Sequence, residues 1–432
     1  MKKLISLITV LFTLTTLCGP AANSPNLVFV LADDLGIGNL SCYGADNFKT
    51  PRLDALARGG IRFQHCYGTP LCGPSRALLL TGRYGFRTGM TGNGSGENLK
   101  SASEVMIPKV LKTAGYVSGC FGKWGQLPLQ PSDFGFDEYM RFQNSGVYWK
   151  GPKNSSYVAN GKNHELAEGK YMPDLVHEYL LDFIKRHRDH PFFAYYSMSH
   201  IHGEIVRTPD SAPDSQDLYA DNIAYMDKLV GNLIDELEKL RLRDKTLVVF
   251  VGDNGTGQRH AARSTIGGKP LSGNKSQMLE GGALVPMIAN WPGTTPARKI
   301  SNELMDFSDY LPTFAELAPA PLPAGVAVDG RSFAAQLRGK EGKARDWVFV
   351  ELGRHWYVRD ANWKLNEAGE LFAMKGAPFE EILVQSASEN SEAKAARRKL
   401  QTTLEQLDPA GGKPHRGDPS GKHEKKKARK AG

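Results

Sequence analysis

Two short apolar runs each stop dead at a pair of oxygen-bearing side chains, and that pattern leaves few architectures open. Asn26-Leu27-Val28-Phe29-Val30-Leu31 ends at Ala32-Asp33-Asp34, and Thr246-Leu247-Val248-Val249-Phe250-Val251 ends at Gly252-Asp253-Asn254. Continuous apolar runs of this length fit strands covered on both faces, as in a parallel sheet between helices. Phe192-Phe193-Ala194-Tyr195-Tyr196-Ser197 is a third such run and stops shortly before His200 and His202. Amphipathic helical patterns intervene over 172–188 and 218–240. The alternation predicts an α/β fold: a large mixed or mostly parallel sheet flanked by helices. Ligands in open sheets of this kind gather beyond the carboxyl ends of the strands. Here those ends carry carboxylates, an amide and imidazoles.

Cys72-Gly73-Pro74-Ser75-Arg76 runs on into Ala77-Leu78-Leu79-Leu80-Thr81-Gly82-Arg83. The spacing predicts an apolar helix opening at Pro74, because proline is favoured at the first helical position. Free backbone N–H groups and the helix dipole favour an anion there, and Arg76 adds a planar cationic fork. The local pattern leaves two readings open. One is a cysteine-derived group facing a bound anion; the other is a disulfide partner or a small buried residue. Asp33-Asp34 and Asp253-Asn254 each offer oxygen ligands of the type a hard divalent cation takes. Either pair alone reads equally as a turn; two pairs at two strand ends point to a cation site.

The cysteine segment, extended through Thr81-Gly82, resembles the signature of the sulfatase family: C-x-P-S-R, a small residue, leucines, then Thr-Gly. The resemblance implies that Cys72 is oxidised to formylglycine by a maturation enzyme, within the sheet of the alkaline phosphatase superfamily. It also implies that Asp33, Asp34, Asp253 and Asn254 hold calcium, or less often magnesium, with residue 72 completing the coordination. Gly122-Lys123-Trp124 resembles the family's Gly-Lys-Trp and makes Lys123 a sulfate contact. Ser199-His200-Ile201-His202-Gly203 resembles the segment carrying the histidine near the leaving group, and the position of Thr208-Pro209 selects His202 over His200. Lys275, ahead of Glu280-Gly281-Gly282, matches the second sulfate-contacting lysine, with Lys269 as a local competitor. Val285-Pro286, Trp291-Pro292-Gly293 and Asp329-Gly330-Arg331-Ser332-Phe333 extend the match, which covers about 26–383. The implied route is hydrolysis of sulfate esters, of carbohydrates above all. One hydroxyl of the formylglycine geminal diol attacks sulfur and the other expels sulfate. Arg76, Lys123 and Lys275 neutralise the oxyanion, and His202 protonates the departing alcohol.

One departure bears on turnover. A histidine ordinarily follows Gly-Lys-Trp in the family and touches the formylglycine hydroxyl; here either Gly125 stands in its place, or Gly125 is an insertion and Gln126 takes the position. Glycine has no proton-transfer group, and glutamine holds a hydroxyl without titrating. Two competitors therefore stand beside the sulfatase reading. One is a phosphodiesterase or phosphonate monoester hydrolase on the same sheet; the other is an impaired relative that binds anionic glycans.

Lys2 and Lys3 precede an uncharged apolar run over 4–17 and then Cys18-Gly19-Pro20-Ala21-Ala22. This is the pattern of a secretory signal over 1–22, implying a secreted or periplasmic protein. A lipid anchor on Cys18 is the weaker reading, since Leu17 is bulky where a small residue is expected. No other stretch is long and apolar enough to cross a bilayer. With Cys18 removed and Cys72 modified, Cys42, Cys66 and Cys120 allow at most one disulfide.

The catalytic domain is expected over 23–318, ending with a helix at 309–318 and a proline-rich stretch. A small domain follows over 319–408, with strands around 348–352, 356–359 and 363–365 in an antiparallel sheet and a polar helix over 386–407. Beyond 409, eight basic residues stand against two acidic ones and, with Lys2 and Lys3, account for the whole net charge of +8. That tail reads as disordered. It lacks aromatic residues to stack bases, which argues against nucleic acid as a partner.

Overall fold

The computed structural model describes residues 24–142, 146–151 and 155–411. The expected signal, the Cys18 anchor and the basic tail beyond 411 lie outside the described residues. In chain order the first strands are β1 (Asn26–Ala32), β2 (Ile61–Tyr67), β3 (Val117–Lys123), β4 (Glu138–Phe142), β5 (Ser156–Ala159) and β6 (Lys162–Glu165). Then come β7 (Phe192–Ser197), β8 (Thr246–Gly252), a two-stranded ribbon of β9 (Thr265–Ile266) and β10 (Lys269–Pro270), β11 (Leu284–Asn290) and β12 (Lys299–Asp306). A ten-stranded sheet has the order β12-β2-β11-β8-β1-β7-β3-β4-β5-β6.

Its centre is parallel. β8, β1, β7, β3 and β4 run in one direction, while β11 and β5 join antiparallel on either side. The three apolar runs are β1, β8 and β7, and every residue in them is buried. Helices cover both faces, so no side of these strands is left for polar alternation.

The flanking strands carried weaker signals. Pro286 interrupts β11 where its register against β2 shifts, as expected of a residue that donates no ladder hydrogen bond. The β5–β6 hairpin turns at Asn160 and Gly161, whose φ values of 46° and 82° suit the tight turn that Asn-Gly favours.

Several helix boundaries move. The helix expected over 172–188 is Met172–Arg186. The one expected over 386–407 begins at Ser391, because Asn390 caps it by accepting from the Ala393 N–H at 2.8 Å. The cysteine-containing helix is Cys72–Thr81, so Cys72 is its first residue and Pro74 its third. Proline remains cheap there, since the N–H groups of the first turn have no helical acceptor.

All four described cysteines are free thiols, so the one disulfide that the sequence allowed is not formed. Burial, with Asp54 nearby, pushes the Cys42 thiol up to about 12.

The C-terminal strands are β13 (Val348–Leu352), β14 (His355–Arg359), β15 (Trp363–Asn366), β16 (Leu371–Ala373) and β17 (Ile382–Leu383), all antiparallel. This sheet shares its packing with the large one. Phe349 meets the Tyr84 ring edge-on at 4.8 Å between centroids. Arg359 pairs with Glu280 at 2.7 Å, and both side chains are almost fully buried.

Glu351 on β13 accepts from the Phe86 N–H at 2.9 Å, and burial pushes its carboxyl from 4.5 up to about 8. The folded state thus holds this proton more tightly than the unfolded chain. That contribution to stability is complete below the ordinary carboxyl range and is lost as pH rises through about 8. Glu351→Gln keeps an acceptor and removes the charge. It is expected to leave the melting temperature unchanged near pH 4 to 5 and to raise it above pH 8. Melts at the two pH values check this, and an equal shift at both contradicts it.

Candidate active site

The parallel register sets the site. Leu31 pairs with Val251 on one side and with Ser197 on the other, and Ser197 pairs with Gly122 on the next strand. Four adjacent carboxyl ends therefore deliver Asp253, Asp33, Ser197 and Lys123 to one edge. The Asp253 N–H donates to the Ala32 carbonyl at 2.9 Å, which continues the ladder one step past the strand. Asp34 then turns into the left-handed region at φ 60° and donates its N–H to Asp253 Oδ1 at 3.0 Å. Asn254 Nδ2 donates to Asp34 Oδ1 at 2.8 Å. The two strand-end pairs expected to act together are in direct contact.

The helix Cys72–Thr81 points its first turn at this edge. Ser75 fixes the approach: its Oγ donates to the Thr69 carbonyl at 3.0 Å and accepts from the Thr69 N–H at 2.8 Å. Arg76 is wholly buried and reaches across the strand ends. Its guanidinium donates to Asp253 Oδ2 at 2.8 Å, to the Lys123 carbonyl at 3.1 Å and to the Ser197 hydroxyl. Lys123 Nζ bonds Asp33 Oδ2. Lys275 Nζ lies 2.6 Å from Asp34 Oδ1, on a loop held by its own N–H to the Thr256 carbonyl at 3.0 Å.

Three carboxylates thus face three cations at direct contact. Burial works to raise the Asp33 carboxyl, but Lys123 and His202 hold it below the ordinary range. Burial and the charge of Asp33 raise the Asp253 carboxyl against the pull of Arg76. The Lys275 ammonium is stabilised, since Asp34 and Asp33 outweigh its burial.

The histidines separate cleanly. His202 Nε2 lies 3.9 Å from Asp34 Oδ2 and remains partly exposed. His200 is fully buried, with Nε2 3.2 Å from the Tyr171 hydroxyl, and burial pushes it down to about 3. Lys269 sits exposed on β10, leaving Lys275 as the lysine on the carboxylates.

Two amides stand at Cys72: Gln126, which the sequence offered in place of the missing histidine, and Asn93, which it did not single out. The Cys72 sulfur lies 3.4 Å from Gln126 Oε1 and 3.7 Å from Asn93 Nδ2. Asn93 stands in a Gly-Asn-Gly-Ser-Gly stretch that reads only as a turn. Tyr195 and Ser197, which contact Arg76, were legible as strand but not as partners.

The donor set fits a hard divalent cation. Among the described residues, Asp33 Oδ1 and Asn254 Oδ1 are buried without a hydrogen-bond partner, an expensive arrangement for oxygen atoms in a protein interior. The sulfur of Cys72 and carboxylate oxygens of Asp33 and Asp253 all lie within 4.8 Å of one another. An oxygen carried by residue 72 in place of that sulfur would stand among the same ligands.

The sulfatase family model matches residues 25–320 of the chain. The chain belongs to the sulfatase family. It is a sulfuric ester hydrolase. Human arylsulfatase A is 34% identical over 365 residues, covering 76% of this chain and 70% of that protein. Pig N-acetylgalactosamine-6-sulfatase is 34% identical over 356 residues, covering 74% and 67% respectively. The solved structure of Ps i-CgsB in complex with k-i-k-neocarrahexaose superposes with a TM-score of 0.76 at 27% identity, covering 89% of this chain and 92% of that one.

For this sulfatase the buried charge cluster is also a fold determinant. Arg76→Met leaves Asp253 and Asp33 without their shared cation, an expected loss of about 3–5 kcal/mol. Adding Asp253→Asn removes the stranded charge and is expected to restore part of that loss. Urea unfolding of Arg76→Met, Asp253→Asn and the double variant checks the pair, and strictly additive losses contradict it.

Proposed function

We propose that this sulfatase hydrolyses sulfate esters of carbohydrates outside the cytoplasm, after a maturation enzyme converts Cys72 to formylglycine. In this reading Asp33, Asp34, Asp253 and Asn254 hold calcium, with magnesium second. The catalytic unit occupies 23–318, and 319–408 packs against it. The observation that carries the reading is the pair of buried oxygens without a hydrogen-bond partner among the described residues, Asp33 Oδ1 and Asn254 Oδ1, beside the first residue of the Cys72 helix.

The formylglycine supplies an oxygen nucleophile, and the cation supplies a Lewis acid for it and for a sulfate oxygen. The chain's own side chains do the rest. Arg76, Lys123 and Lys275 present fixed positive charge to sulfate oxygens, and because they are already oriented, little reorganisation is needed as charge develops. Lys123 and Lys275 each rest on a carboxylate, and both ammonium groups would be available to the anion if those carboxylates held a divalent ion. His202 sits at the open side of Asp34, where its Nε2 delivers a proton to the departing alcohol oxygen.

The assignment of His202 has a specific consequence. Nitrophenolate leaves well without a proton, whereas an alkoxide of a sugar does not. His202→Ala is expected to lower kcat on a sugar sulfate about 100-fold and on nitrophenyl sulfate only a few-fold. Equal losses on both substrates contradict a proton-donor role.

The reaction class is tested by comparing turnover of nitrophenyl sulfate with that of a nitrophenyl phosphodiester, alongside peptide mass spectrometry across Cys72. Conversion of the cysteine and faster sulfate release are expected. Faster diester cleavage selects the phosphodiesterase or phosphonate monoester hydrolase reading. No release from any sulfate ester by fully converted, calcium-loaded protein selects the glycan-binding one.

A further inference from the structure

Among the described residues, the hydrogen-bonding contacts of the Cys72 sulfur are two side-chain amides. Gln126 Oε1 lies 3.4 Å away; Asn93 presents Nδ2 at 3.7 Å and Oδ1 at 3.9 Å. Asn93 is itself anchored, since Oδ1 accepts from the Gly73 N–H at 3.0 Å. Neither amide titrates, and each carries both donors and acceptors.

The surrounding glycines make this arrangement. A Cβ on Gly73 would stand 2.7 Å from Asn93 Oδ1, 2.9 Å from Met90 Cε and 3.3 Å from Gln126 Cβ, so a side chain beside Cys72 would push the amides from their present places. Gly125 lies in the left-handed region at φ 72°, and a Cβ there would face the aliphatic carbons Arg76 Cδ and Lys123 Cε at 3.5 and 3.6 Å. A side chain at 125 would therefore point along those stems, and the turn brings the next side chain, Gln126, onto residue 72. The Asn93 loop folds back on the same segment: Gly96 approaches so closely that a Cβ would lie 2.2 Å from the Gln126 carbonyl. Gly73, Asn93, Gly96, Gly125 and Gln126 thus fit one another as a set.

We propose that Gln126 and Asn93 form an amide clamp that positions the group carried by residue 72 and holds it in its hydrated form. The proposal rests on conversion of Cys72 to the aldehyde. Hydration adds the O–H of water across the carbonyl with no change of oxidation state and leaves two hydroxyls on one carbon. Two amides, each able to donate and accept, match two hydroxyls. Gln126 is then a positioning residue at the place where the family resemblance leads one to expect an imidazole, and the clamp favours hydrate over free carbonyl.

The test is capture of the residue 72 carbonyl by a hydrazide in folded, full-length protein, read as the mass of the Cys72 peptide. Wild type, Gln126→Met, Asn93→Ala and Gly73→Ala are compared, with melting temperature and nitrophenyl sulfate kinetics on the same preparations. Gln126→Met is expected to speed capture about fivefold, the worth of one hydrogen bond. It is also expected to lower kcat with KM within about twofold, since binding and positioning are separable. Gly73→Ala keeps both amides but displaces them, and is expected to change capture in the same direction. Capture that matches wild type in both Gln126→Met and Gly73→Ala overturns the clamp while leaving the sulfatase reading intact. Absence of any carbonyl in denatured, digested wild type overturns the formylglycine reading and the clamp with it.

Discussion

Three carboxylates packed against three cations at one edge of a sheet are the constraint on which the site of this protein depends. Asp33, Asp253, Arg76 and Lys123 have no exposed side-chain surface. Charges so placed are tolerable only when each has a partner at short range, because a lone buried charge is far costlier than a matched pair. The parallel register of β8, β1, β7 and β3 supplies the matching by setting four consecutive strand ends level. The apolar strands exist in this order so that those ends meet, and the helix Cys72–Thr81 must arrive there for Arg76 to complete the balance.

Balance among the charges still leaves Asp33 Oδ1 and Asn254 Oδ1 without a hydrogen-bond partner among the described residues. The lysines and Arg76 reach these carboxylates only through N–H bonds, whereas a divalent ion accepts oxygen ligands from several directions at once. The same pocket therefore reads as self-compensated without metal and as better satisfied with it. Lys123 and Lys275, which now rest on Asp33 and Asp34, would be free to meet an anion if those carboxylates held a divalent ion.

Much of this was legible from residues alone. Runs with no polar position inside them, such as 26–31, 192–197 and 246–251, leave only a doubly covered strand, and each is one. The metal-type pairs and the Cys72 helix were readable because their chemistry needs fixed residue types at strand ends and helix starts. Other elements carried weaker signals. β2 alternates buried and partly exposed positions, and β11 contains a proline, so neither shows the continuous pattern. The β5–β6 hairpin had a usable signal in Asn160-Gly161 that periodicity did not capture. Asn93 carried none, because its place beside Cys72 depends on a loop that closes only in three dimensions. The choice between His200 and His202 likewise depends on which ring faces carboxylates and which faces tyrosines.

The central claim is that the buried oxygen cluster is a divalent-cation site. Elemental analysis of purified protein after exhaustive dialysis against calcium-containing buffer, in wild type and in Asp253→Asn, tests it most directly. The account predicts one calcium per wild-type chain, with a raised melting temperature that falls on chelation, and loss of both in the variant. Wild-type protein with no bound calcium and a melting temperature indifferent to calcium or chelator would contradict it.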